Sequence, residues 1–176
     1  MELAFIHWIA NHRLPWLDRF LVALTRLGDH GMIWILLCLG LLFFRRSRRA
    51  GIQMALALIL MFILGEGVLK NLFARPRPYT HLPGLSLLIP PETSWSFPSG
   101  HTASSFAAAF SLWFWDRRWG KWALVLACAI GISRIYLSVH YPTDVIGGFL
   151  LGMGCAYLAR WLLQKWDGRQ GQKFGR

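Results

Sequence analysis

Cysteine is scarce in this sequence, and acid is scarcer than base. The three cysteines, Cys38, Cys128 and Cys155, each lie inside an apolar run, and none forms a CxxC. That pattern excludes a disulfide scaffold and a zinc site, and reads as small buried hydrophobes. A basic stretch at the N-terminus is also missing. "MELAFIHWIANHR" starts with an acid, so no cleavable signal peptide is expected. Eight Asp and Glu face nineteen Lys and Arg, for a net charge of +11 over 176 residues. On a soluble protein that charge would point to nucleic acid. The 55% hydrophobic content and mean hydropathy of +0.41 argue against it. A membrane protein reconciles the two, because its Lys and Arg crowd at one face of the bilayer.

A transmembrane helix needs about 20 mostly apolar residues. Four runs qualify: Gly51 to Leu72, Gly100 to Trp115, Trp122 to Val139, and Val145 to Leu163. A fifth, Gly31 to Phe44, is short and needs a few residues more. The stretch from Met1 to Arg26 is interrupted by Arg13, Pro15, Asp18, Arg19 and Arg26. It reads as one or two amphipathic helices lying in the interface, with a sixth, broken span as the alternative. The expected fold is therefore an all-α, polytopic membrane bundle of about five spans. It is one domain over 1–176, with an interfacial segment at 1–27, the bundle at 31–166 and a tail at 167–176.

Basic residues set the orientation. Arg45, Arg46, Arg48 and Arg49 follow the first span, and Arg117, Arg118 and Lys121 lie in the turn "DRRWGK". Arg160, Lys165, Arg169, Lys173 and Arg176 close the chain. With five spans these segments share one side, expected to be the cytoplasm. Trp113, Trp115, Trp119 and Trp122 crowd the same border as an aromatic belt. The outer face then carries the N-terminus, the segment Phe73 to Pro98, and the turn His140 to Asp144.

Lys70, Arg75, Arg77 and Arg134 break the positive-inside trend near that outer face, which asks for a local reason. Three segments converge there: "KNLFARPRP", "PSGH" and "SRIYLSVHYPTD". They bring fixed cations, His101, His140 and Asp144 to the start of a helix at Ser99 and Gly100. That set suits a phosphate ester or anhydride. Arginine can bind two phosphate oxygens with its planar fork. Free N–H groups at a helix start favour an anion, and Gly100 permits close backbone approach.

Two histidines permit one imidazole to attack phosphorus and the other to donate to the leaving oxygen. Asp144, four residues after His140, can hold its tautomer. Arg134 lies about 9 Å deeper on its helix, a distance a snorkelling side chain spans. Taken alone, "PSGH" reads as a helix cap, Arg134 as an interfacial anchor and His81 as a loop residue. Arg75 could touch phosphate or face water. Convergence of three distant segments on one face outweighs these plainer readings.

At these residues the chain resembles the type 2 phosphatidic acid phosphatase (PAP2) superfamily of lipid phosphatases and vanadium haloperoxidases. Its signature, K-x6-RP, PSGH and SR-x5-H-x3-D, is met without substitution at Lys70 to Pro78, Pro98 to His101, and Ser133 to Asp144. The resemblance implies His140 as nucleophile, Asp144 as its orienting group and His101 as general acid. It implies Lys70, Arg77, Ser99, Gly100 and Arg134 as the phosphate-binding set. It also implies no metal or other cofactor, which agrees with the lack of a carboxylate cluster, and inhibition by vanadate.

The short chain and outward site look like the bacterial cell-membrane members that hydrolyse undecaprenyl diphosphate to the monophosphate for lipid-carrier recycling. Phosphatidylglycerophosphate, phosphatidic acid, diacylglycerol pyrophosphate and lipid A are substrates of similar members. A polyprenyl or glycerolipid phosphate is thus the expected partner, and nucleic acid is not. A lipid transporter reusing the fold would leave the catalytic set idle. A haloperoxidase would share the motifs, but those relatives are soluble. The loop Leu82 to Trp95 is expected to dip into the interface and meet or gate the lipid. Glu66, one turn before Lys70, is expected to pair with it and hold that side chain ready.

Overall fold

The computed structural model describes residues 1–173, with side chains through Asp167. All its regular elements are helical. Two short helices open the chain, α1 (Glu2–Asn11) and α2 (Pro15–Leu27). Pro15 starts α2 with its ring preset for the first helical position. Asp18 in the first turn and Arg26 in the last complement the helix dipole. A tight turn at Asp29–Gly31 follows, with His30 at φ 52° and Gly31 at φ 68°. It bends the chain by 41° into α3 (Met32–Phe43).

The next rod is α4 (Arg48–Phe62), which widens into a π-helical stretch over Ile63–Leu69 and closes as α5 (Lys70–Phe73). Such widening re-aims side chains and recurs at functional sites. Three longer helices complete the fold: α6 (Gly100–Trp115), α7 (Arg117–Tyr136) and α8 (Pro142–Lys173).

The sequence reading set the "DRRWGK" stretch as a turn. Only Asp116 breaks the helix. Its carboxylate caps α7 by accepting from Arg118 N (2.8 Å) and Trp119 N (3.2 Å), so Arg117, Arg118 and Lys121 already sit on α7.

Helix α6 is the central rod. Ala103, Ala107, Ala108, Ala109, Ser105 and Ser111 are all fully buried. Small residues let neighbouring helices come close, the packing device of membrane bundles. Gly152 on α8 shows how close: a Cβ there would stand 2.3 Å from the Ala103 carbonyl oxygen. Trp34 and Met54 fill one side of α6, and Met61, Cys155 and Ala159 fill another. The buried Trp34 indole donates to Ser105 Oγ at 2.9 Å, so its polar atom is satisfied.

The outside of the bundle is apolar. Leu36, Leu39, Ile59, Phe62, Val125, Ile132, Leu150 and Trp161 are exposed. A surface of that kind is stable against lipid. Cys128 belongs to it. Cys38 and Cys155 are buried as expected, but Cys128 faces outward between Val125 and Ile132 on α7.

Two helical stretches, Arg48–His81 and Pro142–Asp167, are individually long and apolar enough to cross a membrane, and α2 with α3 qualifies as a bent pair. Helix α6, with 16 residues, is about 24 Å long and is sheltered by its neighbours.

Arg49 meets Asp167 at 2.9 Å, so the start of α4 and the far part of α8 share one end of the bundle. The starts of α6 and α8 and the ends of α5 and α7 share the other. Arg169, Lys173 and Arg176, read above as part of the basic face, lie outside the described side chains.

Candidate active site

The helix ends at that second end are tied to one another before any ligand is considered. Ser99 caps α6, its Oγ accepting from Thr102 Oγ1 (3.0 Å) and Thr102 N (3.4 Å). Its own N–H donates to the Asp144 carbonyl at 3.0 Å, which pins the start of α6 to the start of α8. Ser99 is fully buried. The plainer reading of "PSGH" as a cap therefore holds for its serine.

His140 sits in the turn between α7 and α8, where Ser138 takes φ 62°. Its ring is 1% exposed. Nδ1 lies 3.4 Å from Asp144 Oδ2, and Nε2 lies 3.3 Å from Arg77 Nη1. With the Nδ1 proton facing Asp144, Nε2 is left as the lone-pair atom. Burial pushes the His140 pKa down to about 3, with Arg77 and Arg134 adding to the fall and Asp144 opposing it. The ring is neutral at pH 7.

Asp144 is itself held on all sides. Oδ2 accepts from Tyr141 N at 2.9 Å and, in a very short bond, from Ser96 Oγ; Oδ1 accepts from Arg75 Nη1 at 2.6 Å. Arg75 is partly exposed and is engaged by neighbouring side chains. It binds Asp144, Thr143 Oγ1 (2.7 Å) and Glu2 Oε2 (2.8 Å), and its guanidinium stacks 3.8 Å from the Tyr141 ring centre. Glu2 comes from α1, which the sequence reading placed only at the interface.

The cations expected on phosphate are buried, and each has a carboxylate. Lys70 Nζ pairs with Glu66 at 2.9 Å and donates to Ser94 Oγ at 2.9 Å. Arg77 donates to Ser94 O (2.7 Å) and Val139 O (3.1 Å) and pairs with Glu92 at 2.6 Å.

Arg134 bonds Thr25 Oγ1 at 2.6 Å and makes a very short contact with Glu92; its Nε has no partner among the described residues. The side chain extends from α7 to Glu92 of the outer loop. It is fully buried because α2 closes over it.

Gly100 faces Glu66: a Cβ there would stand 2.6 Å from Oε1. His81 lies exposed in a turn, as the plainer reading had it.

Glu92 was not among the predicted site residues. It is a lone acid in the apolar loop "LPGLSLLIPPETSW", nine residues before His101. Its carboxylate bridges Arg77 and Arg134. Burial alone would raise its pKa, but Arg134 and Arg77 hold it at about 2. The signal was available, since a single carboxylate between prolines and "PSGH" has little reason to be there unless it meets the arginines.

Asp29 was also missed. Its Oδ1 lies 3.0 Å from His101 Nε2. A cleft of about 630 Å³ reaches Asp29, Glu66, Lys70, Glu92 and His101, with Met61 and Phe62 on its apolar wall. His140 and Arg77 do not line it. They lie behind Glu92 and Ser94.

Among the described residues no cluster of His, Cys, Asp or Glu suits a metal ion. Buried cations, one histidine at the cleft and a second behind it with a buried Asp suit phosphoryl chemistry. The family model of the PAP2 superfamily matches residues 50–167, which covers every one of the three motifs.

The chain belongs to the PAP2 superfamily.

It is 33% identical to an undecaprenyl-diphosphatase of Sulfolobus acidocaldarius over 153 residues, covering 86% of this chain and 73% of that protein. Among solved structures it is similar to Aquifex aeolicus LpxE, with TM-score 0.79, 34% identity, and coverage of 90% of this chain and 93% of that one. A PAP2-type phosphatidylglycerolphosphate phosphatase from Bacillus subtilis superposes with TM-score 0.75 at 30% identity, covering 93% and 85%. This PAP2 chain is accordingly a hydrolase, a membrane-bound lipid phosphatase.

Proposed function

We propose that the protein hydrolyses undecaprenyl diphosphate to the monophosphate through a phosphohistidine on His140, at the outer face of the cell membrane. The observation that carries the mechanism is the buried His140–Asp144 pair with Nε2 turned toward Arg77.

Nε2 attacks the terminal phosphorus. The N–P bond forms, and the bond from phosphorus to the bridging oxygen breaks. Asp144 stabilises the charge that develops on the ring. The leaving oxygen takes a proton from His101. Water then attacks the phosphohistidine, its oxygen binding phosphorus as the N–P bond breaks, and His101 receives the proton.

Arg77 and Arg134, now holding Glu92, hold the transferred phosphoryl group in its place, with Arg134 Nε as a further donor. Ser99 orders the first turn of α6, whose N–H groups face the same anion, and Gly100 leaves room for it. Lys70 lines the cleft while the two arginines lie behind it, so it is placed for the inner phosphate of a diphosphate. Glu66 keeps Lys70 extended toward the site. The 33% identity to an undecaprenyl-diphosphatase supports this substrate. The likeness to the Bacillus subtilis phosphatase supports phosphatidylglycerophosphate as the competing one.

The basic residues Arg45, Arg46, Arg117, Arg118 and Lys121 lie at the end of the bundle away from the site, which supports an outward site and a cytoplasmic C-terminus. A reporter fused after Arg176 should be active only in the cytoplasm.

Purified protein should release phosphate from undecaprenyl diphosphate faster than from phosphatidylglycerophosphate or phosphatidic acid. His140→Ala should abolish release and the acid-labile phosphoenzyme, a loss of about 10⁴-fold or more. Full activity in His140→Ala sinks the mechanism. A dominant rate on a glycerolipid sinks the substrate.

A further inference from the structure

Asp29 stands outside all three family motifs, in the turn that joins α2 to α3. Its Oδ1 is 3.0 Å from His101 Nε2, and no other side chain is within bonding distance of that ring among the described residues. The turn is built to hold this contact. His30 and Gly31 both take positive φ, which swings the chain sharply after Gly28. Gly28 lies against the ring, and a Cβ there would meet His101 Cδ2 at 2.9 Å. The ring is mostly buried at 15% exposure, whereas the Asp29 side chain is 47% exposed at the cleft. A half-exposed carboxylate in contact with a sheltered imidazole connects that ring to bulk water.

We propose that Asp29 is a positioning residue for the proton of His101, and that through this contact it sets which leaving groups the enzyme can expel. A carboxylate on Nε2 leaves Nδ1 as the nitrogen free to donate, and it stabilises the imidazolium that donates. The donated proton goes from the ring to the leaving oxygen as the P–O bond breaks. A leaving group that departs as an alkoxide needs that proton in the transition state. A nitrophenolate or a lipid monophosphate leaves as a stable anion and needs it little. Asp29 therefore matters most when the substrate is a phosphate monoester of an alcohol, and least when it is a diphosphate or an aryl phosphate. The inference rests on the two-histidine mechanism above.

The test compares kcat/KM of Asp29→Asn on a short-chain dialkylglycerol phosphate and on p-nitrophenyl phosphate, both in the same detergent preparation. The expected result is a fall of about 10- to 100-fold for the alkyl ester and less than about 3-fold for the aryl ester. Asp29→Glu should recover most of the alkyl activity. Gly28→Ala, which pushes on the ring from its other contact, should show the same imbalance and stands in if Asp29→Asn does not fold. Equal losses on both esters would make Asp29 merely structural, and no loss on either would make it idle; either result overturns the proposal. Formation of the acid-labile phosphoenzyme by the unmutated protein checks the underlying mechanism separately, so failure of one is distinguishable from failure of the other.

Discussion

The two halves of the site each pair a histidine with an aspartate, and they are built in opposite ways. His140 and Asp144 are four residues apart, almost wholly buried, and braced by Arg75, Arg77, Ser96 and the Tyr141 N–H. His101 and Asp29 are 72 residues apart, one partly sheltered and one half in water, with a single contact between them. The difference matches two chemical tasks. A nucleophile must present one lone pair in one direction from a neutral ring, so it gains from rigid support and a dry setting. An acid that later acts as base must exchange protons with water every turnover. Glu92 lies between the halves and holds the two arginines together.

The largest expected effect lies on the rigid half. Asp144→Asn keeps the size of the side chain but removes the charge that stabilises the His140 ring. We expect kcat to fall by about 10³-fold with KM little changed. A loss no larger than that of Asp29→Asn on an alkyl ester would erase the contrast between the pairs.

Next is acid stability. The folded His140 value, about 3, is below its ordinary 6.5, so the unfolded chain binds the extra proton between those limits. That stabilisation is fully present above about pH 6.5 and is lost as the pH falls toward 3. Glu92, at about 2, acts in the same direction at still lower pH. The unfolding midpoint in detergent should drop by about 5 °C between pH 7 and pH 5. His140→Gln should flatten that slope, and an unchanged slope would mean that His140 is not held neutral by its surroundings.

The smallest effect is at the boundary between the halves. Glu92→Gln removes the negative charge that competes with an incoming anion for Arg77 and Arg134. Vanadate should then inhibit about three- to tenfold more tightly. Weaker inhibition would mean that Glu92 organises the arginines for phosphate rather than competing with it.

Much of this was legible in the sequence because it was local. Ser99 as a cap, Pro142 opening α8 and the four-residue step from His140 to Asp144 all follow from short-range geometry. The step from Glu66 to Lys70 is equally local, and the 2.9 Å pair is what neighbouring turns allow. Arg75 was ambiguous because its partners, Glu2 and Asp144, lie 73 and 69 residues away. The cover over Arg134 was not legible, because Thr25 lies 109 residues away on another helix. The N-terminal segment read as an interfacial element, and Glu2 and Thr25 within it bond to residues of the site.

By itself the sequence determined the helical class, the apolar outer surface, and the division into a basic end and an end that carries the three motifs. Hydropathy runs, caps and motif spacings are properties of contiguous residues and survive without knowledge of the packing. The tertiary structure alone decided the carboxylate contacts between residues distant in sequence. Glu92 meets Arg134 across 42 positions, Asp29 meets His101 across 72, and Glu2 meets Thr143 across 141. Such pairs form only where close-packed, small-residue helices bring their ends together, and a side chain a few ångströms out of place would find water instead.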